Sequence, residues 1–495
     1  MRMPLLDNSV LGRRAEIIAA LRDILPHASV IDDERERAAY ECDGLSVYRQ
    51  LPFLVALPEN TRQVAQILRY CYENEIKVVP RGAGTSLSGG ALPLGDGILL
   101  GLAKLNKILE IDWENGCARV QPGVTNQGIT DAVSHRGYYY APDPSSQIAC
   151  TIGGNVAENS GGVHCLKYGM TTNNLLGVEF VQMDGTILSF GGKTFESETY
   201  DLLGLVTGSE GLLGVTTEVT VRILPKPDCA KAVLLGFPSN EAAGQCVADI
   251  IAAGIIPAGM EMMDRPAIKA AEDFVHAGYP LDVEALLIVE VDGGTAEVDA
   301  LIATIESISK TCGASYSRTS TSEADRLRIW AGRKAAFPAV GRISPDYYCM
   351  DGTIPRKQLP HVLQRIGEMS RDYGLPVANV FHAGDGNLHP LILFDANKPG
   401  EVERTEAFGA NILKLCVEVG GVLTGEHGVG VEKRDLMEVQ FNEQDLKQQQ
   451  RVKCAFDDKS LLNPGKVFPT LHRCAELGRV HVHRGQTRFP DLPRF

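Results

Sequence analysis

PRGAGTSLSGGALP, residues 80 to 93, sets four glycines, two serines and a threonine directly after the apolar, strand-like VVP. Glycine removes the side chain that would obstruct a ligand and lets successive backbone N–H groups point into one concavity, so the loop reads as a cradle for phosphate oxygens. Its spacing is not G-x-G-x-x-G, and GTSLSGG lacks the lysine of a P-loop. Neither the usual dinucleotide fingerprint nor a Walker A loop is present.

Outward from this loop, FLVALPENTRQVAQILRYCYENEIKVVPRG predicts a strand, a helix capped near Asn60 or Thr61, and a second strand. Residues 13 to 25 predict an amphipathic helix ahead of this β-α-β opening. From Ile98 the pattern changes to short strands and turns, with the D-G of MDGTI a hairpin signal. The proline-punctuated 225 to 228 after VTTEVTVRILPKP marks a domain boundary. Beyond it, strands (AVLLGF, ALLIVEVDG) alternate with helices (NEAAGQCVADIIAAG, AEVDALIATIESISKTCG), the α+β pattern of helices covering one face of an antiparallel sheet. A later helix is expected near 401 to 418.

Two further glycine clusters follow: APDPSSQIACTIGGNVAENSGGVHCLKYGMTTNNLLGVEFVQMDG from 141 to 185, and TGSEGLLGV from 207 to 215. Polar loops of this kind between short strands suit a long ligand with a diphosphate and a flat ring system. The ordered succession PRGAGTSLSGG, PDPSS, TIGGNVAENSGG and GSEGLLGV resembles the FAD-binding domain of the vanillyl-alcohol-oxidase, or PCMH-type, flavoproteins. The resemblance implies bound FAD. It places Arg81, Gly82, Ala83, Gly84, Thr85, Ser86 and Gly89 around the diphosphate. Pro142, Asp143, Ser145, Thr151, Gly153, Gly154, Asn155, Ala157, Asn159 and Gly161 would line the ribityl chain and isoalloxazine. Glu210, Gly214 and Val215 would neighbour the adenosine side, while the end of the chain, including Asn463, is expected to fold back on the flavin side. Covalent members often carry histidine where Thr85 stands, so non-covalent FAD is expected. The implied fold is α+β: an N-terminal helical segment (1–50), a PCMH-type FAD domain of two α/β subdomains (51–227), a substrate or cap domain with a helix-covered antiparallel sheet (228–460), and a returning segment (461–495).

FHAGDGNLHP (381–390) and LTGEHGVG (423–430) are the second chemical signal. His382, His389 and Glu426 offer two imidazoles and a carboxylate to a divalent metal with an open position, leaving His427 as a base. The spacing matches no standard metal pattern, and histidines hydrogen-bonded within turns account for it equally well. With WAGRKAAFPAVGRISPDYYCMDGTIP (330–355), however, these motifs resemble the D-2-hydroxy-acid dehydrogenase branch of the same family. That branch includes D-lactate and D-2-hydroxyglutarate dehydrogenases and the FAD-linked glycolate oxidase subunits, and the last of these match nearly the whole chain, up to the tail TLHRCAELGRVHVHRG. The resemblance implies a zinc-type metal on the triad and proton abstraction by His427.

The chemistry explains such a set. A Lewis acid on a substrate hydroxyl lowers its pKa, and a neutral imidazole then accepts the proton. A planar cation fixes the substrate carboxylate; Arg333 is the first candidate, ahead of Lys334 and Arg342. Asn387 either binds substrate or shapes the turn, and Asp385 is read as a turn former. Branch members with dicarboxylic substrates carry a lysine that DYYCMDG lacks, so a small monocarboxylate is expected, glycolate first and D-lactate second.

A net charge of −14 argues against nucleic acid as the main partner. Twelve cysteines form no C-x-x-C, which excludes a local iron–sulfur motif and reads as reduced thiols in a cytoplasmic protein. The resemblance therefore implies electron transfer to a second FAD-domain subunit and an iron–sulfur subunit, with peripheral attachment to the inner membrane through them. His472, His481 and His483 read as surface or interface residues. Competing readings are a D-2-hydroxy-acid dehydrogenase acting alone, a flavin-free metal-dependent hydrolase, and an inactive assembly subunit.

Overall fold

The computed structural model describes residues 3–194 and 200–469. Its first sheet runs Val30–Ile31, Leu54–Ala56, Gly97–Gly101, Lys77–Arg81, antiparallel at the first pair and parallel thereafter. Strands 54–56 and 97–101 are buried at every residue, as strands covered on both faces must be. Helix Thr61–Glu73 lies over them because Val64, Ile67, Leu68 and Cys71 recur at helical spacing and are all buried. The Asn60 side chain caps it by accepting from the Gln63 N–H, as the sequence predicts. Strand 77–81 ends at Arg81, where the glycine loop begins.

A second, fully antiparallel sheet has the order Ile108–Asp112, Cys117–Val120, Val215–Arg222, Leu175–Val181, Ile187–Gly191. The predicted D-G hairpin joins its last two strands: Val181 faces Ile187, and Gly185 has φ +83°. Only glycine occupies that left-handed region without strain.

The third sheet is antiparallel and built around Tyr316–Thr319, Cys229–Phe237, Ala285–Gly293, Gly259–Asp264 and Val377–His382. Helices cover both of its faces, which corrects the one-face expectation. Leu287 and Val289 pack with residues of helices Asn240–Ala252 and Thr295–Thr311. Leu286 and Ile288 pack with residues of Arg265–Val275 and Glu323–Val340. The unbroken apolar run ALLIV of strand 285–293 is the signature of such two-sided burial. The last two helices were absent from the sequence-based pattern, whereas Glu401–Glu418 was present in it.

The chain then returns to the first sheet. Leu462 bridges to Val78, and the Asn463 amide donates to the carbonyls of Gly90 and Glu210. His472, His481 and His483 lie outside the described residues. Among the described residues ten cysteines are free thiols and Cys454 is disulfide-bonded, so the expectation of uniformly reduced cysteines is corrected there. Among the described residues no helix is long and apolar enough to cross a membrane.

Candidate active site

His382 ends strand Val377–His382, and the chain reverses through 383–386 so that Asn387 pairs with His382 and His389 comes back alongside. The turn depends on Gly386, at φ +86°, where a Cβ would stand 2.2 Å from the Ile354 carbonyl oxygen. Asp385 accepts from the Asn387 N–H, the turn-forming role read from the sequence. The two imidazoles end edge to face, ring centroids 5.1 Å apart.

Glu426 arrives from a distant loop. Its Oε1 lies 3.2 Å from His382 Nε2 and 3.1 Å from His389 Nε2, and its Oε2 accepts from the Gly161 N–H. Asp351 shapes that loop. Fully buried, its carboxylate accepts from the N–H groups of Gly425, Glu426 and His427, from the Thr424 hydroxyl, and from Lys433 Nζ at 2.9 Å. Burial alone would raise the Asp351 pKa, but Lys433, His427 and His389 together outweigh burial and hold it well below the usual range. Sequence reading passed over Asp351 and Lys433; their signal was only the proximity of MDG to the motif pair.

Behind His382 stands a second missed residue. Glu261, from strand Gly259–Asp264, is 1 % exposed and lies 2.7 Å from His382 Nδ1 through Oε1. Its Oε2 accepts from Arg333 Nε at 2.8 Å. A carboxylate at Nδ1 fixes the tautomer that leaves Nε2 for a ligand. His389 likewise turns Nδ1 toward Cys349 Sγ, 4.0 Å away. His427 stacks on His389 at 4.9 Å, and its buried Nδ1 has no hydrogen-bond partner. Burial is the main cause that lowers its pKa to about 4, against the pull of Asp351. The ring is therefore neutral at pH 7 and able to accept a proton.

His389, Glu426 and His427 close one end of a cavity of about 680 Å³. Its walls are the three glycine-rich segments, and helix Glu323–Val340 contributes Lys334, Phe337 and Pro338. Arg333 faces away into the Glu261 pair, and Arg342 donates to the Asp273 carbonyl far from the cavity. Asn387 is buried under Gly425, with its Oδ1 lacking a partner.

Residues 52–191 match the FAD-binding domain model, and 226–467 match the C-terminal domain model of FAD-linked oxidases. The chain belongs to the FAD-linked oxidases. It is 57 % identical over 97 % of both chains to the glycolate oxidase subunit GlcD of Escherichia coli. It is 39 % identical to that of Bacillus subtilis (88 % of this chain, 93 % of the other). Against D-lactate dehydrogenase of Archaeoglobus fulgidus it is 35 % identical (85 % and 92 %). Among solved structures, p-cresol methylhydroxylase shares the fold at TM-score 0.78 and 17 % identity, covering 93 % and 97 %. A 4-ethylphenol oxidase from Gulosibacter chungangensis does so at 0.77 and 19 %. This FAD-linked oxidase is thus an enzyme that uses FAD.

The cavity fits that cofactor. Among the described residues, none of the N–H groups of Gly82 to Ser86 is engaged by another backbone carbonyl. A Cβ on Gly82 would fall 2.3 Å from Thr151 Oγ1, and one on Gly214 2.2 Å from the Phe180 ring. Thr151 Oγ1 is itself a buried hydroxyl without a partner in the cavity wall. Arg81 to Ser86, Ser145, Thr151, Gly153, Gly154, Asn155, Ala157, Glu210, Gly214 and Val215 all line this space. Gly89, Pro142, Asp143, Asn159, Gly161 and Asn463 stand behind it. The Asp143 carboxylate is held by His164, and the Pro142 carbonyl accepts from Asn126. Asn159 caps a helix in the left-handed conformation, Gly89 packs on Val431, and Gly161 serves Glu426. Pro122, Glu158 and Phe337 line the cavity without having been foreseen.

Proposed function

We propose that this enzyme oxidises a small 2-hydroxy acid, glycolate first and D-lactate second, at the end of the cavity closed by the histidines. The observation that carries the reading is the convergence of His382, His389 and Glu426, all ligand atoms within 4.8 Å of one another, beside the neutral His427. Bound FAD supplies the two-electron acceptor for the substrate hydride. A divalent metal of zinc type on the triad supplies Lewis acidity to the substrate oxygen.

The chain's own residues do the rest. Glu261 holds the His382 ring so that Nε2 faces Glu426. His427, neutral because buried, takes the hydroxyl proton. Lys334 in the wall draws in the carboxylate, whereas Arg333, expected from the sequence to do so, is turned away from the cavity and instead holds the Glu261 carboxylate that orients His382. Phe337 and Pro338 keep water from this end. The stretch DYYCMDG before Thr353 carries no lysine, which favours a short monocarboxylate substrate.

Two of the relatives above are described as subunits of glycolate oxidase. That likeness supports work as one subunit of an assembly; in the proposed scheme electrons leave toward a second flavin-domain subunit and an iron–sulfur subunit, which also bring the chain to the membrane. The test is anaerobic bleaching of the flavin band with glycolate, D-lactate, L-lactate and D-2-hydroxyglutarate, with and without a chelator. Bleaching by the first two, lost on chelation and restored by Zn²⁺, is the expected result. Bleaching only by the dicarboxylate, or none by any acid in metal-loaded protein, rejects the substrate class.

A further inference from the structure

A second cavity, of about 190 Å³, shares no wall residue with the cofactor cavity. It opens between Tyr48, helix Glu401–Glu418, strand Asp346–Cys349 and the segment that follows the Glu426–His427 loop. The strand separates the two spaces: Tyr348 lines this cavity, whereas the next side chain, Cys349, meets His389. Its walls divide by chemistry. Met350, Leu413 and Val431 are buried and apolar, while Glu406, Glu432 and Asp435 contribute three carboxyl groups. Among the described residues no lysine, arginine or histidine lines it.

Glu432 is the carboxyl left unserved. Both of its oxygens are buried, and neither has a hydrogen-bond partner. Glu406, by contrast, accepts from the Tyr48 hydroxyl at 2.6 Å, and Asp435 accepts from Arg434 Nε at 3.0 Å. Lys433, the next residue, is spent elsewhere: its Nζ donates to Asp351 Oδ2 at 2.9 Å and to the Asp351 and Gly428 carbonyls at 3.1 Å. A buried carboxylate without donors is strongly disfavoured until a cation reaches it. Burial accordingly pushes the Glu432 pKa up to about 7, against Lys433 and the Tyr348 hydroxyl.

The arrangement selects among cations. A bare divalent ion needs oxygens converging on one point. Among the described residues, sets of three ligand atoms within 4.8 Å occur at the active site and not here. Two open oxygens on one carboxylate instead match the parallel N–H groups of a guanidinium, and the apolar wall suits an aliphatic stem.

We propose that this cavity binds a guanidinium group carried on a short aliphatic stem, with Glu432 as its two-oxygen acceptor and Glu406 and Asp435 drawing it in. The stem belongs to a free alkylguanidine or to an arginine of another polypeptide. The site is independent of FAD and of the hydroxy acid oxidised.

The experiment titrates full-length, FAD-loaded protein by calorimetry at pH 8 with n-butylguanidinium, neutral butylurea, agmatine, N-acetyl-arginine amide and Ca²⁺. Butylguanidinium is expected to fill one saturable site. Butylurea should bind at least roughly tenfold more weakly, and Glu432→Gln should weaken butylguanidinium by a similar factor. Glu406→Gln should weaken it less, and serves as the deciding variant should Glu432→Gln fail to fold. Agmatine binding without the arginine amide upholds the site for a free ligand, whereas binding of both upholds it for a polypeptide's arginine. No saturable binding of butylguanidinium, equal affinity for butylurea, or unchanged affinity in the deciding variant overturns the proposal. Displacement of butylguanidinium by Ca²⁺ in wild type but not in Glu432→Gln overturns it in favour of a metal site.

Discussion

At the level of single residues, three side chains divide the work that the two histidine motifs announce. His427 is the candidate proton acceptor, so His427→Ala should leave FAD bound while flavin reduction by the hydroxy acid falls about 10²–10⁴-fold. Stopped-flow bleaching measures this, and a near-normal rate would remove His427 from the role. Glu261 acts one layer back, through His382 Nδ1. Glu261→Gln should weaken metal binding roughly 10–100-fold with FAD content unchanged, as read by competition with a chromophoric chelator. Asp351 anchors the whole loop through Lys433 and three N–H groups. Truncating one partner of such a buried pair costs about 3–5 kcal/mol, so Asp351→Ala should lower the unfolding free energy by that much in denaturant titration. His382, His389, Glu426 and His427 were legible because glycine-rich motifs surround them. Glu261 was not, because GMEMMD reads as an ordinary buried strand and its partner lies 121 positions away.

At the level of elements, the site is held by two tight turns rather than by helix termini. Gly386, at φ +86° and with a Cβ 2.2 Å from the Ile354 oxygen, has no room for alanine. Gly386→Ala should destabilise the protein by more than about 1 kcal/mol and displace His389, which metal titration at a temperature below unfolding detects as weakened binding. Retained affinity and an unchanged melting temperature would show that the turn adapts. Element identities came from periodicity where one face is apolar, as in Thr61–Glu73 and Glu401–Glu418. Helix Glu323–Val340 escaped because it is wedged between the sheet and the cavity: Ile329, Trp330 and Ala336 are buried on one side while Lys334, Phe337 and Pro338 meet the cavity on another.

Across the whole molecule, the FAD-binding loops and the cap sheet are latched together through one histidine. His164 Nδ1 lies 2.9 Å from Asp143 and Nε2 3.3 Å from Glu290 of the cap strand. Lys167 and Tyr168 both donate to Asp292 two residues further on. Burial pushes the His164 pKa down, but Asp143 and Glu290 outweigh it and raise the value to about 10. The folded value exceeds the unfolded value of about 6.5, so the stabilisation is complete below that pH and is lost as pH rises through the folded pKa. The melting temperature should therefore fall between pH 7 and 10, and His164→Gln should flatten that slope. Parallel slopes for the two proteins would show that the latch contributes nothing.

The sequence by itself determined the glycine-rich loops, the hairpin and five of the longer helices, since each is written in local spacing or in glycines that only certain turns accept, and it marked His382, His389 and Glu426 through the motifs around them. The tertiary structure alone decided which charges reach the cavity. Arg333 and Lys334 are adjacent in sequence, yet a helix sends them to different sides, one to Glu261 and the other to the wall. Likewise Glu158 and Glu210 became neighbours only when loops far apart in the chain closed on Gly428. Burial and partnership are properties of the packed chain, and one-dimensional spacing carries no record of them.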